Sequence, residues 1–259
     1  MTASALRTGR LFRRDTGRTL MVALDRTLLA GPCPHAEDAA ALVARFADSP
    51  VEALLLSPGL TRLAAGALGH ATAPRIVTRI DYPLVADFAY HGAERHEMIC
   101  TPEAAAALGA DAVVMCLVSG YADVHTHGAN LRAVGKAAES CARIGLPLVV
   151  EAVLWGERHD DPRDAEALAR ICRIAAELGA DVVKTQPPAT VEGLRLVVEA
   201  CPVPVTALGG AATDADAAAR LAELAIDGGA RGLVFGRNIW ARPEAQAFCA
   251  TLSDLVHRS

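Results

Sequence analysis

The stretch Leu178-Gly-Ala-Asp-Val-Val-Lys184-Thr-Gln-Pro-Pro188 puts a lysine where chemistry could use it. A short β-branched run leaves a Gly-Ala-Asp turn, ends in an amine and is stopped by two prolines, which places Lys184 at the tip of a buried strand. The chain has two lysines, Lys136 and Lys184, among 25 basic residues, so arginine supplies nearly all of its positive charge. A guanidinium stays protonated, whereas an amine that sheds its proton can attack a carbonyl. Lys184 therefore points to Schiff-base formation, against the ordinary alternative of a strand-end lysine reaching out to solvent. Lys136 lies in an alanine-rich helix and reads as surface charge.

A phosphorylated carbonyl compound is the ligand that fits beside such an amine. Leu208-Gly209-Gly210-Ala211 and Phe235-Gly236-Arg237-Asn238 follow two consecutive strands. Glycines there let backbone N–H groups approach an anion, and a helix start behind them adds its dipole. Arg237 would pair with the same phosphate, and a nearby cation or an apolar interior would favour the neutral amine at Lys184. Asp25, in Met21-Val-Ala-Leu-Asp25-Arg26, would accept or relay a proton, or else pair with a neighbouring arginine or cap the next turn. Glu151 sits inside the otherwise apolar Pro147-Leu-Val-Val-Glu151-Ala-Val153-Leu-Trp155 and is either functional or paired with an arginine. Tyr121, His125 and His127 are candidate acids after the fourth strand. His125-Thr-His127 has no carboxylate or third histidine at matching spacing, so it reads as a flexible polar loop, not a metal pair. The expected site is thus Lys184, Asp25, Glu151 and Tyr121 for catalysis, and Gly209, Gly210, Gly236, Arg237, Arg26 and Trp155 for substrate and phosphate, without a metal.

The elements that position these residues follow from a repeated helix-to-strand junction. It stands as Leu108-Gly-Ala-Asp-Ala-Val-Val, Leu178-Gly-Ala-Asp-Val-Val-Lys and Gly228-Gly-Ala-Arg-Gly-Leu-Val, with proline versions at Leu146-Pro-Leu-Val-Val and Cys201-Pro-Val-Pro-Val. Strands are expected near 19 to 24, 52 to 56, 75 to 80, 111 to 117, 147 to 153, 180 to 184, 203 to 208 and 231 to 235. Alanine-rich amphipathic helices are expected at 36 to 47, 59 to 69, 102 to 109, 129 to 144, 162 to 178, 189 to 200, 213 to 227 and 242 to 257. Eight βα units make a single (β/α)8 TIM barrel over residues 19 to 259, preceded by an arginine-rich arm, residues 1 to 18, that caps the barrel or touches a neighbouring subunit. Strand C-termini in such a barrel face the active site, where Ser57, Arg79, Asp81 and Ser119 also gather. The long segment from Asp81 to Cys100, with Tyr82, Asp87, Tyr90, His91 and His96, is a candidate lid.

Bulk properties exclude several classes. Hydrophobic residues are 52%, yet no run reaches the roughly 18 apolar residues of a membrane helix, so a large core and no membrane partner are expected. The net charge is -5 and no basic cluster is interleaved with aromatics, which argues against nucleic acid. Seven scattered cysteines without a metal-knuckle spacing read as reduced small hydrophobes of a cytoplasmic protein.

From about Gly9 to His257 the chain resembles the class I, Schiff-base aldolases of the archaeal-type fructose-bisphosphate aldolase group, which also contains aminodideoxyheptulosonate synthase and the autoinducer-processing thiolase. The resemblance rests on Gly179-Ala-Asp-Val-Val-Lys184-Thr185, Cys201-Pro-Val-Pro-Val, Gly209-Gly210, Asp227-Gly-Gly-Ala-Arg-Gly and Gly236-Arg237-Asn238-Ile239. It implies a TIM barrel, an imine on Lys184, phosphate held by the glycine motifs and Arg237, no metal or other cofactor, and a homo-oligomer, decameric or otherwise ring-based. Three departures stand out. The family's Asp-His-Gly followed by Gly-Pro is Asp25-Arg26-Thr27 followed by Gly31-Pro32; Val153 stands where the family has its acid/base tyrosine; and the loops Leu56-Ser-Pro-Gly-Leu60 and Thr78-Arg-Ile-Asp-Tyr82 differ. A specialised aldolase or lyase is expected, acting on a phosphorylated ketose-type substrate with a dihydroxyacetone-phosphate-like donor. The alternatives are a thiolase-like acyl transferase on a phosphorylated diketone using the same lysine, and a non-catalytic barrel that binds a sugar phosphate.

Overall fold

A computed structural model describes residues 3–31, 33–84 and 94–258. Its strands, in chain order, are β1 (Thr19–Ala23), β2 (Ala53–Leu56), β3 (Arg75–Arg79), β4 (Asp81–Leu84), β5 (Arg95–Met98), β6 (Ala112–Val118), β7 (Leu148–Val153), β8 (Val182–Thr185), β9 (Val205–Leu208) and β10 (Gly232–Phe235). Eight of them close a parallel barrel, β1-β2-β3-β6-β7-β8-β9-β10, with β10 returning to β1. Each barrel strand starts within two residues of its expected position. β4 and β5 form a separate antiparallel hairpin in the segment expected as a lid; Asp87, Tyr90 and His91 of that segment, like Pro32, lie outside the described residues.

The helices are α1 (Ala3–Gly9), α2 (Arg26–Ala30), α3 (Ala39–Arg45), α4 (Pro58–Leu63), α5 (Ala65–Leu68), α6 (Pro102–Ala107), α7 (Val124–Ile144), α8 (Ala165–Glu177), α9 (Val191–Ala200), α10 (Ala215–Asp227), α11 (Arg237–Trp240) and α12 (Ala245–Val256). Most start where a short polar side chain accepts an otherwise unpaired N–H group: Asp38, Ser57, Thr101, Asp123, Asp164, Thr190 and Asp214 are such caps. The helix expected over 59 to 69 is broken at Ala64 into α4 and α5. α7 starts at Val124, earlier than expected, so His125 and His127 belong to a capped helical turn and not to a flexible loop. Among the described residues no helix is long and apolar enough to cross a membrane, and all seven cysteines are unpaired.

The repeated Gly-Ala-Asp junction has a physical cause. Gly179, at φ +105°, ends α8 in a conformation that side-chain-bearing residues avoid. Two residues on, Asp181 accepts the N–H of Leu148 at the start of β7, and Asp111 does the same for Ile76 of β3. The motif thus turns the chain and fixes the new strand against its neighbour.

Alternation along each strand sorts side chains between the lumen and the helix layer. Leu20, Val22, Leu54, Leu56, Val150 and Val183 pack outward under the helices. Met21, Ala23, Leu55, Val77, Val114, Val149, Val182 and Val234 fill the lumen, joined by Leu11 of the N-terminal arm, which is fully buried there. Burial of such a side chain is worth about 1.5–3 kcal/mol. The next inward position up each strand is different in kind: Asp25 follows Ala23, Arg79 follows Val77, Cys116 follows Val114, Glu151 follows Val149, Lys184 follows Val182 and Gly236 follows Val234. A charged layer therefore rests on an apolar floor. Above it Val118, Val153, Leu208, Tyr121 and Trp155 form a second apolar group.

Candidate active site

The charged layer lines a cavity of about 580 Å³ at the C-terminal end of the barrel. Parallel pairing sets Cys116 beside Glu151 and Glu151 beside Lys184, so three neighbouring strands present thiol, carboxylate and amine at one level. The Lys184 Nζ lies 2.8 Å from Glu151 Oε1. The other carboxylate oxygen of Glu151 accepts from Arg79 Nη2. Arg79 also donates through Nε to Asp25, and through Nη1 to Asp81 at 2.9 Å and to the Cys116 sulfur at 3.2 Å. Asp81 Oδ2 in turn takes the Cys116 N–H at 2.6 Å and lies 2.9 Å from His96 Nε2. One guanidinium and one amine thus face three buried carboxylates, and the guanidinium touches all three.

Burial alone would raise the Glu151 carboxyl, but the charges of Lys184 and Arg79, and their hydrogen bonds, hold it at about 2. Burial works against the charge on Arg79 too; the neighbouring Cys116 sulfur and the carboxylates of Asp25, Glu151 and Asp81 favour that charge, and the guanidinium ends well above its ordinary value. Burial and the Asp81 charge push the Cys116 thiol well up, so it stays protonated. A carboxyl whose folded pKa lies below its ordinary 4.5 adds stability that is complete above that value and is lost as pH falls toward about 2. Glu151→Gln is accordingly expected to be less stable than the native chain at neutral pH. Urea unfolding at stepped pH should show that gap closing between 4.5 and about 2.

Asp25 pairs with arginine and makes no side-chain cap to α2, yet it also lines the cavity. Glu151 likewise pairs with arginine, as one of its two sequence readings expected, and it also touches Lys184. Gly209, Gly210, Gly236, Arg237, Arg26 and Trp155 line the same cavity. Gly210 has φ +67°, a conformation that favours glycine. Burial and the neighbouring Arg26 charge lower the Arg237 pKa, placing two guanidinium groups near the glycine turns. Tyr121 does not line the cavity: its ring is buried in the upper apolar group, its hydroxyl donates to the Arg95 carbonyl of β5, and burial drives its pKa upward. Among the described residues no group of three or more His, Cys, Asp or Glu could hold a metal. Ser57 caps α4, and Lys136 is exposed on α7.

Sequence reasoning placed Arg79 and Asp81 at the rim without a role and missed the part played by His96 and Asn238. Asn238 is buried; its amide donates to the carbonyls of Gly209 at 2.7 Å and Ala211 at 3.1 Å and accepts from Thr213 N–H at 2.8 Å. It ties the turn after β9 to the turn after β10. The position of Asn238 directly after Gly236-Arg237 was the available signal.

A family model described as DeoC/LacD family aldolase matches residues 19–242. The 2-amino-4,5-dihydroxy-6-oxo-7-(phosphonooxy)heptanoate synthase of Streptomyces griseus is 32% identical over 99% of this chain and 91% of its own length. An uncharacterized aldolase of Saccharolobus solfataricus is 29% identical over 100% of this chain and 96% of its own. Among solved structures, an archaeal fructose 1,6-bisphosphate aldolase superposes with a TM-score of 0.87 at 24% identity, covering 99% of this chain and 100% of that one.

Proposed function

Given that the chain belongs to the DeoC/LacD family of aldolases, we propose that it is a class I aldolase or lyase that makes or breaks a carbon–carbon bond in a phosphorylated ketose-type substrate, through an imine on Lys184. The observation that carries this reading is the 2.8 Å contact between Lys184 and Glu151 in a cavity that is also lined by the glycine turns and Arg237. The streptomycete relative is named for a product with a 6-oxo group beside a 7-phosphonooxy group, which supports a ketone next to a phosphate ester as the recognised unit and a specialised, not glycolytic, role.

Phosphate at the glycine turns and the Arg26 and Arg237 pair directs the ketone carbon toward Lys184. The amine gives up a proton and adds to that carbon; Asp25 takes up that proton and returns it to the hydroxyl of the adduct, so that water leaves and an iminium remains. The positive charge remains on the lysine nitrogen beside Glu151. Loss of a proton from the adjacent carbon converts the iminium to a neutral enamine. The Lys184 charge, the larger of the two that hold Glu151 down, is then gone while burial and Arg79 persist, and Glu151, beside the nitrogen, takes that proton. The enamine carbon attacks an aldehyde and the iminium forms again; the new alkoxide takes the proton that Glu151 holds, and hydrolysis of the product iminium frees Lys184. Cleavage is the reverse.

Borohydride reduction in the presence of dihydroxyacetone phosphate should leave a secondary amine at Lys184, located by peptide mass spectrometry. No adduct with any phosphorylated ketone or ketose would sink the reading. Asn238→Ala should raise KM for the phosphorylated donor by about tenfold with kcat little changed, since two buried carbonyls lose a donor worth roughly 1–3 kcal/mol. Steady-state kinetics would check this.

One observation favours a second reading, acyl transfer through the same imine: Val153 occupies the upper layer where an acid/base tyrosine would stand. Because the Cys116 thiol is held protonated, an acceptor thiol would come from outside the chain. Turnover that depends on coenzyme A would select this reading.

A further inference from the structure

The polar chain that starts at Lys184 does not end inside the barrel. Arg79 offers its donors in one planar fork, and three carboxylates, from β4, from β7 and from the turn just after β1, with one thiol, take them. In such a fork the partners are not independent: rotating the guanidinium to follow one carboxylate withdraws it from the others. Its Nη1 edge is set by Asp81, and Asp81 is itself fixed on the other oxygen by the Cys116 N–H and by His96. His96 comes from β5, outside the barrel sheet, and its side chain is only 2% exposed. The hairpin is fastened to the mouth at further points: the Glu94 carboxylate accepts the Ala122 N–H, and the Arg95 carbonyl accepts from Tyr121. Asp81 also pairs with Met98 across the hairpin, so the carboxylate and the imidazole that meets it are both fixed by its ladder.

We infer that His96 is a positioning residue for the proton-transfer step: by holding Asp81 it fixes the Arg79 fork, and the fork fixes the Glu151 oxygen that faces Lys184. This rests on the reading of Lys184 as the imine-forming lysine and of Glu151 as the group that takes the proton. Imine formation uses the amine, the phosphate turns and Asp25, none of which touches His96; a shift of Asp25 through the fork changes the rate at which the imine is reached, not the amount trapped at equilibrium. Loss of His96 therefore separates two steps that loss of Lys184 would abolish together.

Both steps can be read with dihydroxyacetone phosphate alone. Borohydride trapping at Lys184 measures the imine; exchange of the proton next to the ketone with deuterium from solvent, followed by NMR, measures proton transfer. His96→Leu should trap as the native chain does, while exchange slows by about 10- to 100-fold, the scale expected when a reacting group is displaced by about 1 Å. His96→Gln can present an amide nitrogen near the place of Nε2 and should return exchange to within about threefold of native. Exchange in His96→Leu within twofold of native, or His96→Gln as slow as His96→Leu, overturns the inference. Loss of trapping in His96→Leu with the fold intact by circular dichroism overturns it too, because His96 would then act before the proton step. A native chain that neither traps nor exchanges removes the aldolase reading first, and the role of His96 falls with it.

Discussion

Lys184→Arg is expected to keep the barrel folded and to lose turnover by roughly four to six orders of magnitude, the scale found when a covalent nucleophile is removed. Arginine preserves a cation beside Glu151, so the buried carboxylate keeps a partner and the layer stays close to neutral. What disappears is an amine able to add to a carbonyl. Unfolding within about 1 kcal/mol of native, together with absent borohydride labelling, would separate chemistry from stability. Substantial residual turnover in Lys184→Arg would mean that no imine is involved. A native chain whose melting temperature rises with ligand but which turns nothing over would point to the non-catalytic sugar-phosphate barrel.

Arg79→Met should produce the largest loss of stability. Asp25, Asp81 and Glu151 would each lose a hydrogen-bonded cation in a buried layer. Removing one partner of a buried ionic group typically costs about 3–5 kcal/mol, which for a chain of this length lowers Tm by roughly 10 °C. Scanning calorimetry is the direct check. Arg79→Lys restores one charge but not a planar fork, so it should recover only part of the loss. A variant Arg79→Met as stable as the native chain would show that the carboxylates tolerate the loss of their common partner, and the positioning role given to His96 would lose its intermediate link.

The barrel was legible because its signals are local. β-branched runs such as Val182-Val183 and Val113-Val114, each preceded by a Gly-Ala-Asp turn, mark strand starts without reference to any other strand. Lys184 stood out from composition alone, and the glycine turns from their place after two consecutive strands. The partners of Arg79 were hidden because they come from the turn just after β1, from β7 and from the start of β4; only the register of non-consecutive strands brings them to one guanidinium. β5 escaped notice because Arg95-His-Glu-Met is largely exposed and lacks β-branched residues, so neither alternation nor propensity distinguishes it from a loop. Tyr121 was assigned to the site by proximity to a strand end, but β6 stops at Val118 and the chain beyond it points the ring at the hairpin. Period-two alternation upward from Val114 and Val149 would have selected Cys116 and Glu151 directly.

The scarcity of lysine has a spectroscopic consequence. With Lys136 exposed on α7 and Lys184 buried in the lumen, the chain contains two lysine side chains in opposite environments. Selective isotopic labelling of lysine would give a spectrum with two side-chain signals, one of them a built-in solvent reference. Any resonance that moves when a phosphorylated ketone is added, while the reference stays in place, reports the chemical state of the lumen nitrogen in the unmodified protein.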